Sequence, residues 1–354
     1  MDNGGGAGGR CRFRSSRRYA DPPNFRRAKV VVICVLTPHM DVGYHHASFH
    51  YPDDDRPMIE STVDRAQWLE SEGFSWFSVM DHVWQLPFVG QRDEPFLECY
   101  TALTAVARET DSMDLGALVT CPHYRNPSYL GRVLASLDHV SDGRAVLSIG
   151  AGWYEDEYDA MGVDYPDIST RNRQMRETIE LCQAMWTQES PASYEGEHYE
   201  LDAFYCDPKP DDVPVLIGGG GEELTLRATA EYADRWNVPS GDPETYAGKL
   251  DILREHCADL GTDYDAIEKT IGNTTVIRED TEAAHEAYED LLGRTEMGPT
   301  PRDEDRGTVG TPAEVAERIE AFGDAGADTF MLMVPANDRR TVELFVDEVM
   351  GGVA

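Results

Sequence analysis

Pro214 to Asn237 reads PVLIGGGGEELTLRATAEYADRWN, and the punctuation of this stretch decides the fold. A short apolar run (Val215, Leu216, Ile217) enters four consecutive glycines, Gly218 to Gly221. A segment with helical spacing follows at once (Leu224, Leu226, Ala228, Ala230, Tyr232). The order is strand, glycine loop, helix. Glycines without a Cβ let backbone N–H groups converge, and a helix N-terminus adds partial positive charge, so the joint suits an anion such as a phosphate. A dinucleotide fingerprint begun at Gly218 would need glycine where Glu223 stands, and no Gly-Lys-Ser/Thr follows to make a Walker loop. A tight turn between strand and helix is the structural alternative.

The same strand-then-helix rhythm extends in both directions. Lys29 to Leu36 (KVVVICVL) is a continuous β-branched run and predicts a first strand buried on both faces. Thr37 to Asp55 reads as loop; its His39, His45, His46 and His50 lack a nearby Cys or a regular helix and are taken as a polar lid rather than a metal cluster. A helix over Ile59 to Glu72 closed by Gly73 is followed by a strand over Phe74 to Met80, ending in Asp81-His82. Helix, strand and helix are expected over Glu94–Glu109, Met113–Thr120 and Asn126–His139, then a strand over Arg144–Ile149 that runs into Gly150-Ala151-Gly152-Trp153. Helices over Tyr154–Met161 and Ser169–Gln188 precede an excursion, Glu189 to Asp212, with a small hairpin turning at Gly196. Beyond the glycine loop come a helix over Glu222–Ala233, strands at Arg235–Val238, Ile271–Ile277 and Asp328–Val334, and helices over Pro243–Leu260, Glu282–Leu292 and Pro312–Ala325. Gly298–Gly307 reads as a polar loop, and a helix closes the chain.

Eight strands separated by helices imply right-handed crossovers and a parallel sheet. They fit an α/β fold of the (β/α)8 TIM barrel type with an insertion before the fifth strand; an open doubly wound sheet is the rival. In a barrel, functional residues follow the C-terminal ends of strands. Asp81-His82, Thr120-Cys121, Gly150 to Trp153 and Gly218 to Gly221 all do. Trp76, Trp84, Phe88 and Trp153 lie at or near strand ends and can wall an apolar cleft, although alternation puts Trp76 and Ser78 on one face and Phe77 and Val79 on the other.

Composition narrows the function. The 354 residues are 41% hydrophobic, enough for a full core, and carry a formal net charge of −35 with only four lysines (Lys29, Lys209, Lys249, Lys269). Such a surface does not attract nucleic acid. It is what a protein working in high salt carries, where screening removes self-repulsion. Seven cysteines without a C-x-x-C pair read as reduced cytoplasmic thiols, and no run of 18 apolar residues spans a membrane. Residues 1–28 are Gly-rich and then basic, and read as a disordered tail ahead of a single domain over 29–354; Arg17-Arg18 lacks the apolar segment that an export signal needs.

Several ordered motifs together resemble one family. They are Met80-Asp81-His82; Leu118-Val119-Thr120 with Tyr124-Arg125-Asn126-Pro127; Leu137 to Arg144 (LDHVSDGR); Gly150 to Trp153; and Ile217 to Glu222 with Tyr232 to Asn237. From Lys29 onward the chain is similar to the luciferase-like flavin and deazaflavin oxidoreductases, most closely to their coenzyme F420-dependent branch. The resemblance implies a (β/α)8 barrel that binds a flavin-like ring in its C-terminal mouth and transfers a hydride between it and a small organic substrate. A reduced-FMN monooxygenase and a methylene-tetrahydromethanopterin reductase are the alternatives it leaves. It places Asp81 and His82 at the ring and substrate, and Thr120, Gly150, Gly152 and Trp153 at the cofactor. It also places a non-proline cis peptide near Ala117-Leu118 as ring support, and makes Gly218, Gly219, Gly220 and Gly221 the phosphate loop. It suggests a homodimer. Sugar-phosphate dehydrogenases of the family carry a glutamate where this chain has Trp153, which argues against that substrate class.

In that setting His82 is the expected proton donor or acceptor, because imidazole titrates near neutrality, with Asp81 placed to fix its tautomer. Cys121, lacking a paired base, is expected to line the pocket. No metal site is expected. The acidic composition makes a physical prediction of its own: the melting temperature should rise between low and multimolar KCl, and an unchanged value would contradict the high-salt reading.

Overall fold

The computed structural model describes residues 40–52, 54–239, 241–297 and 307–350. Its strands are β1 (Asp41–His46), β2 (Trp76–Val79), β3 (Asp114–Ala117), β4 (Ala145–Ile149), β5 (Ala192–Glu195), β6 (Glu200–Phe204), β7 (Val215–Gly218), β8 (Arg235–Pro239), β9 (Glu268–Ile277), β10 (Gly307–Gly310) and β11 (Thr329–Met333). Its helices are α1 (Met58–Ser71), α2 (Cys99–Glu109), α3 (Pro127–Ser141), α4 (Glu155–Met161), α5 (Ile168–Thr187), α6 (Thr225–Tyr232), α7 (Pro243–Leu260), α8 (Thr281–Gly293), α9 (Pro312–Asp324) and α10 (Arg339–Leu344).

Eight strands close into a parallel barrel in the order β1, β2, β3, β4, β7, β8, β9, β11, and β11 pairs back onto β1. The expected (β/α)8 barrel is therefore the fold. Its insertion is the antiparallel hairpin β5–β6, ahead of the fifth barrel strand and turning at Gly196, whose N–H donates to the Tyr199 carbonyl. Strands such as β4 (AVLSI) are buried along their whole length because helices cover the outside and the barrel fills the inside. Helix ends follow local chemistry: Asn126 caps α3 ahead of Pro127, Asp242 caps α7 ahead of Pro243, and Thr311 with Glu314 forms a capping box on α9.

Two expectations are corrected. The first barrel strand is β1, DVGYHH, inside the stretch read as a loop and lid. The strand expected over Lys29–Leu36 and the tail expected over residues 1–28 lie outside the described residues. DVGYHH is a strand because both its faces are buried. Val42, Tyr44 and His46 pack outward, His46 edge-on to Phe49 and stacked near Phe77. Gly43 and His45 point inward, where the Met331 thioether fills the space of a Cβ at Gly43 and His45 Nδ1 lies 3.0 Å from Ser78 Oγ. The second correction is β10, a strand at the end of the expected polar loop, which pairs with the far end of the ten-residue β9 (Val309 opposite Val276).

The barrel interior holds its own apolar layer, Trp76, Val146, Leu216 and Met331, with Leu118 and Val119 packed on it. Trp76 thus belongs to the floor beneath the mouth and not to its wall. Phe77 and Val79 join the outer core, as alternation requires.

Burial, helped by the charge of His82, lowers the pKa of His45 from 6.5 to about 3. The native state keeps this ring neutral while the unfolded chain protonates it near 6.5. Stability from this site is complete above that pH and falls by about 1.4 kcal/mol per pH unit on acidification toward the folded value. His45→Asn, which keeps a polar partner for Ser78, is expected to flatten the acid side of the Tm–pH curve relative to the wild type. Parallel curves for the two proteins would contradict this.

Candidate active site

At the C-terminal mouth lies a cavity of about 370 Å³, lined from the ends of β2, β3, β4, β7, β8 and β11. Its floor is shaped by Val119, whose peptide bond with Leu118 is cis, one residue beyond the expected place. A Cβ at Gly150 would stand 2.8 Å from a Val119 methyl and one at Gly218 2.6 Å from the other, so both flanking positions admit only glycine, and the backbone closes directly on Val119. Gly219, with φ of 124°, donates its N–H to the Asn237 carbonyl at 2.8 Å and accepts the Trp236 indole N–H at 2.9 Å, which pins the turn.

The glycine tetrad divides. Gly218 and Gly219 line the cavity together with Thr225. Gly220 and Gly221 lead away from it, the Gly221 carbonyl accepting from the Thr225 and Leu226 N–H groups that open α6. The helix therefore begins at Thr225, three residues later than its apolar spacing suggests. Leu118, Thr120, Gly150, Gly152 and Trp153 also line the cavity, as do Asp81 and His82; Ala117 is buried within β3 and does not. Thr120 Oγ1 is held 2.7 Å from the Tyr100 hydroxyl.

The expectation that Asp81 orients His82 is corrected. Both Asp81 carboxylate oxygens accept from Arg125 at 2.8 Å, and one also accepts the Cys121 N–H at 3.0 Å. The partner of His82 is Glu157: His82 Nδ1 lies 2.7 Å from Glu157 Oε2, and the second oxygen accepts the Val83 N–H at 2.8 Å. The Tyr124 hydroxyl donates to the same carboxylate. Burial pushes the Glu157 carboxyl up, but the hydrogen bond and charge of His82, with the Tyr124 and Val83 donors, outweigh it and hold the group below the usual carboxylate range. An ionised carboxylate only accepts, so Nδ1 carries a proton, and in the neutral ring Nε2 is the nitrogen with a free lone pair.

Cys121 lines the cavity as expected. Burial pushes its thiol up to about 12, and its Sγ lies 3.0 Å from the Tyr158 hydroxyl, so it is a protonated wall group and not a nucleophile. Trp153 stands at the rim, its ring 5.9 Å from that of His82 in an edge contact and 5.9 Å from that of Phe88.

Sequence reasoning missed Glu157, although a signal exists. Tyr154, Glu157 and Tyr158 follow the spacing of one helical stripe, so Glu157 is the single acid on the aromatic line of a segment with three consecutive acids in its first turn, and Glu157 and Tyr158 are its buried residues. Arg125 was visible within a motif, but nothing in its spacing pairs it with Asp81.

A model of the luciferase-like monooxygenase family matches residues 34–329, and the chain belongs to that family. An uncharacterised protein of Mycobacterium tuberculosis (strain ATCC 25618 / H37Rv) is 32% identical over 187 residues, which cover 48% of this chain and 64% of that protein, so the match spans less than two thirds of the relative's length. The F420-dependent glucose-6-phosphate dehydrogenase of Segniliparus rotundus is 27% identical over 316 residues, covering 82% of this chain and 91% of that enzyme. Among solved structures, an F420-dependent secondary alcohol dehydrogenase in complex with an F420-acetone adduct is similar with a TM-score of 0.75 at 20% identity, covering 89% of this chain and 99% of that one. At that identity the likeness concerns the fold.

The Asp81–Arg125 pair makes a stability prediction. Their side chains are 2% and 14% exposed, so Arg125→Met strands a buried carboxylate and should cost about 3–5 kcal/mol in urea unfolding. A loss below about 1 kcal/mol would show that the pair is not what holds the β2 and β3 loops together.

Proposed function

We propose that the protein is an oxidoreductase that uses coenzyme F420 for two-electron hydride transfer with a small organic substrate. The observation that carries this reading is the His82–Glu157 pair, set beside an apolar wall of Leu118, Val119, Gly150 and Gly218. Its fit to a planar ring rests on Gly150 and Gly218, where any side chain would collide with Val119, and on a cavity volume within the range of small-molecule sites. Leu118, Thr120, Gly150 and Gly152 would hold the ring, and Gly218 and Gly219 the phosphate end. When bound, the coenzyme supplies the hydride chemistry.

The chain's own residues handle the proton. His82 Nε2 takes the hydroxyl proton as an alcohol becomes a carbonyl, and returns it in the reverse direction. Glu157 keeps Nδ1 protonated and stabilises the imidazolium formed in between. Arg125 compensates the Asp81 carboxylate beside His82. Relatives named for F420-dependent enzymes support the cofactor, and the family's monooxygenase name makes reduced FMN the reading to test against. The scattered thiols and acidic composition support a cytoplasm of high salt as the working environment.

Titration in high salt with oxidised F420 and separately with FMN, followed by tryptophan quenching, is expected to give tight binding of F420 alone and no oxygen uptake with the reduced cofactor. Preference for FMN, or oxygen consumption, would overturn the assignment. With F420 bound, Glu157→Gln is expected to lower kcat by about 100-fold or more, the order of general acid–base assistance, and His82→Ala by at least as much. Unchanged turnover in folded variants would instead show that the His82–Glu157 pair carries no proton in the reaction.

A further inference from the structure

The rim of this cavity differs from the rest of the surface. In a chain of net charge −35, nine large hydrophobic side chains stand exposed among the described residues; three of them, Phe88, Trp153 and Ile168, gather at the mouth, and Val83 and Met297 lie on segments tied to it. Trp153 and Ile168 line the cavity itself. Phe88 packs on Trp153, Met297 is tied to the Phe88 loop by its N–H to the Pro87 carbonyl, and Val83 follows His82 with its N–H on Glu157. These residues come from the loops after β2, after β4 and after α8 and from the first turn of α5, so the chain assembles the apolar collar from separate places.

Inside the collar, the charged side chains among the described lining residues are Asp81 and His82; no Lys or Arg faces the cavity. Arg125 is spent on Asp81 and Glu98, and Lys249, beside the glycine loop, is paired with Glu222. At the His82 and Trp153 end, away from the Gly218–Gly219 turn that would take the coenzyme's phosphate, a phosphorylated substrate would find no cationic side chain, and unpaired polar groups against the apolar rim are costly. An alkyl or aryl group would find what it needs.

We infer that the substrate is an uncharged alcohol or carbonyl compound with an apolar tail, its oxygen at His82 Nε2 and its tail on Trp153, Phe88 and Ile168. This rests on the hydride-transfer reading above and names its substrate class. It separates the chain from relatives named for glucose 6-phosphate. In the oxidising direction the carbinol carbon loses a hydride and the hydroxyl loses its proton to His82, leaving a carbonyl; bound oxidised coenzyme would be the acceptor of the hydride and its two electrons.

The test uses the full chain loaded with oxidised F420 in high salt. It is offered isopropanol, a secondary pentanol, a secondary octanol and glucose 6-phosphate, with tryptophan quenching and F420 reduction read in parallel. Affinity for the alcohols is expected to rise by about fourfold per added methylene, the equivalent of about 0.8 kcal/mol. Glucose 6-phosphate should neither bind nor be oxidised. Phe88→Ala should shrink the step for the longest alcohol, with F420 affinity measured alongside as the control for local damage. Saturable binding or oxidation of glucose 6-phosphate, a flat alcohol series, or a Phe88→Ala series with undiminished steps would each overturn the inference. Failure of F420 to bind at all would instead overturn the proposed function, so the two claims fail separately.

Discussion

Much of the mouth depends on one buried carboxylate. Glu157 has no exposed surface and receives donors from His82 and Val83 after β2 and from Tyr124 after β3, while its own backbone belongs to α4 after β4. A buried charge is tolerated only when paired and hydrogen-bonded, so three neighbouring strand ends must stay in register for this group to remain satisfied. The Asp81–Arg125 pair adds a second tie between the β2 and β3 loops. Fixing His82 is thus inseparable from folding the mouth, which is how a barrel holds a loop-borne imidazole in place.

Below this polar tie the barrel supplies a rigid base. Trp76, Val146, Leu216 and Met331 fill the interior, Val119 rests on them, and the glycines at 150 and 218 let the backbone close around Val119 without side chains. The contrast between a packed floor, a wall of paired charges and an apolar rim gives the cavity its direction, with His82 between the floor and the rim.

Sequence exposes whatever repeats a simple physical pattern. β4 and β7 are legible as short apolar runs because both their faces meet apolar layers, and their strand ends point to Gly150, Gly152, Trp153 and Gly218 as mouth residues. β1 is illegible because its inward positions are Gly43 and His45, chosen by the Met331 thioether and Ser78, partners more than 30 residues away in the chain. β10 hides for a related reason: GTVG offers one large apolar residue, and the strand exists because β9 runs on past the barrel. The pairing of Asp81 with Arg125 and of His82 with Glu157 is likewise tertiary. Adjacent Asp and His residues invite a mutual bond, yet they diverge here because each finds a better-placed partner on another loop.

The central claim is that Glu157 holds the proton of His82 on Nδ1 and leaves Nε2 to the cavity. Nitrogen NMR of isotope-labelled protein, at a pH where the imidazole is neutral, reads this directly from the two ring nitrogens of His82. The account predicts a proton coupled to Nδ1 and a bare Nε2, with that preference weakened in Glu157→Gln. A neutral ring protonated on Nε2 in the wild type would contradict it, since the ring would then present a donor instead of a base to an alcohol in the cavity.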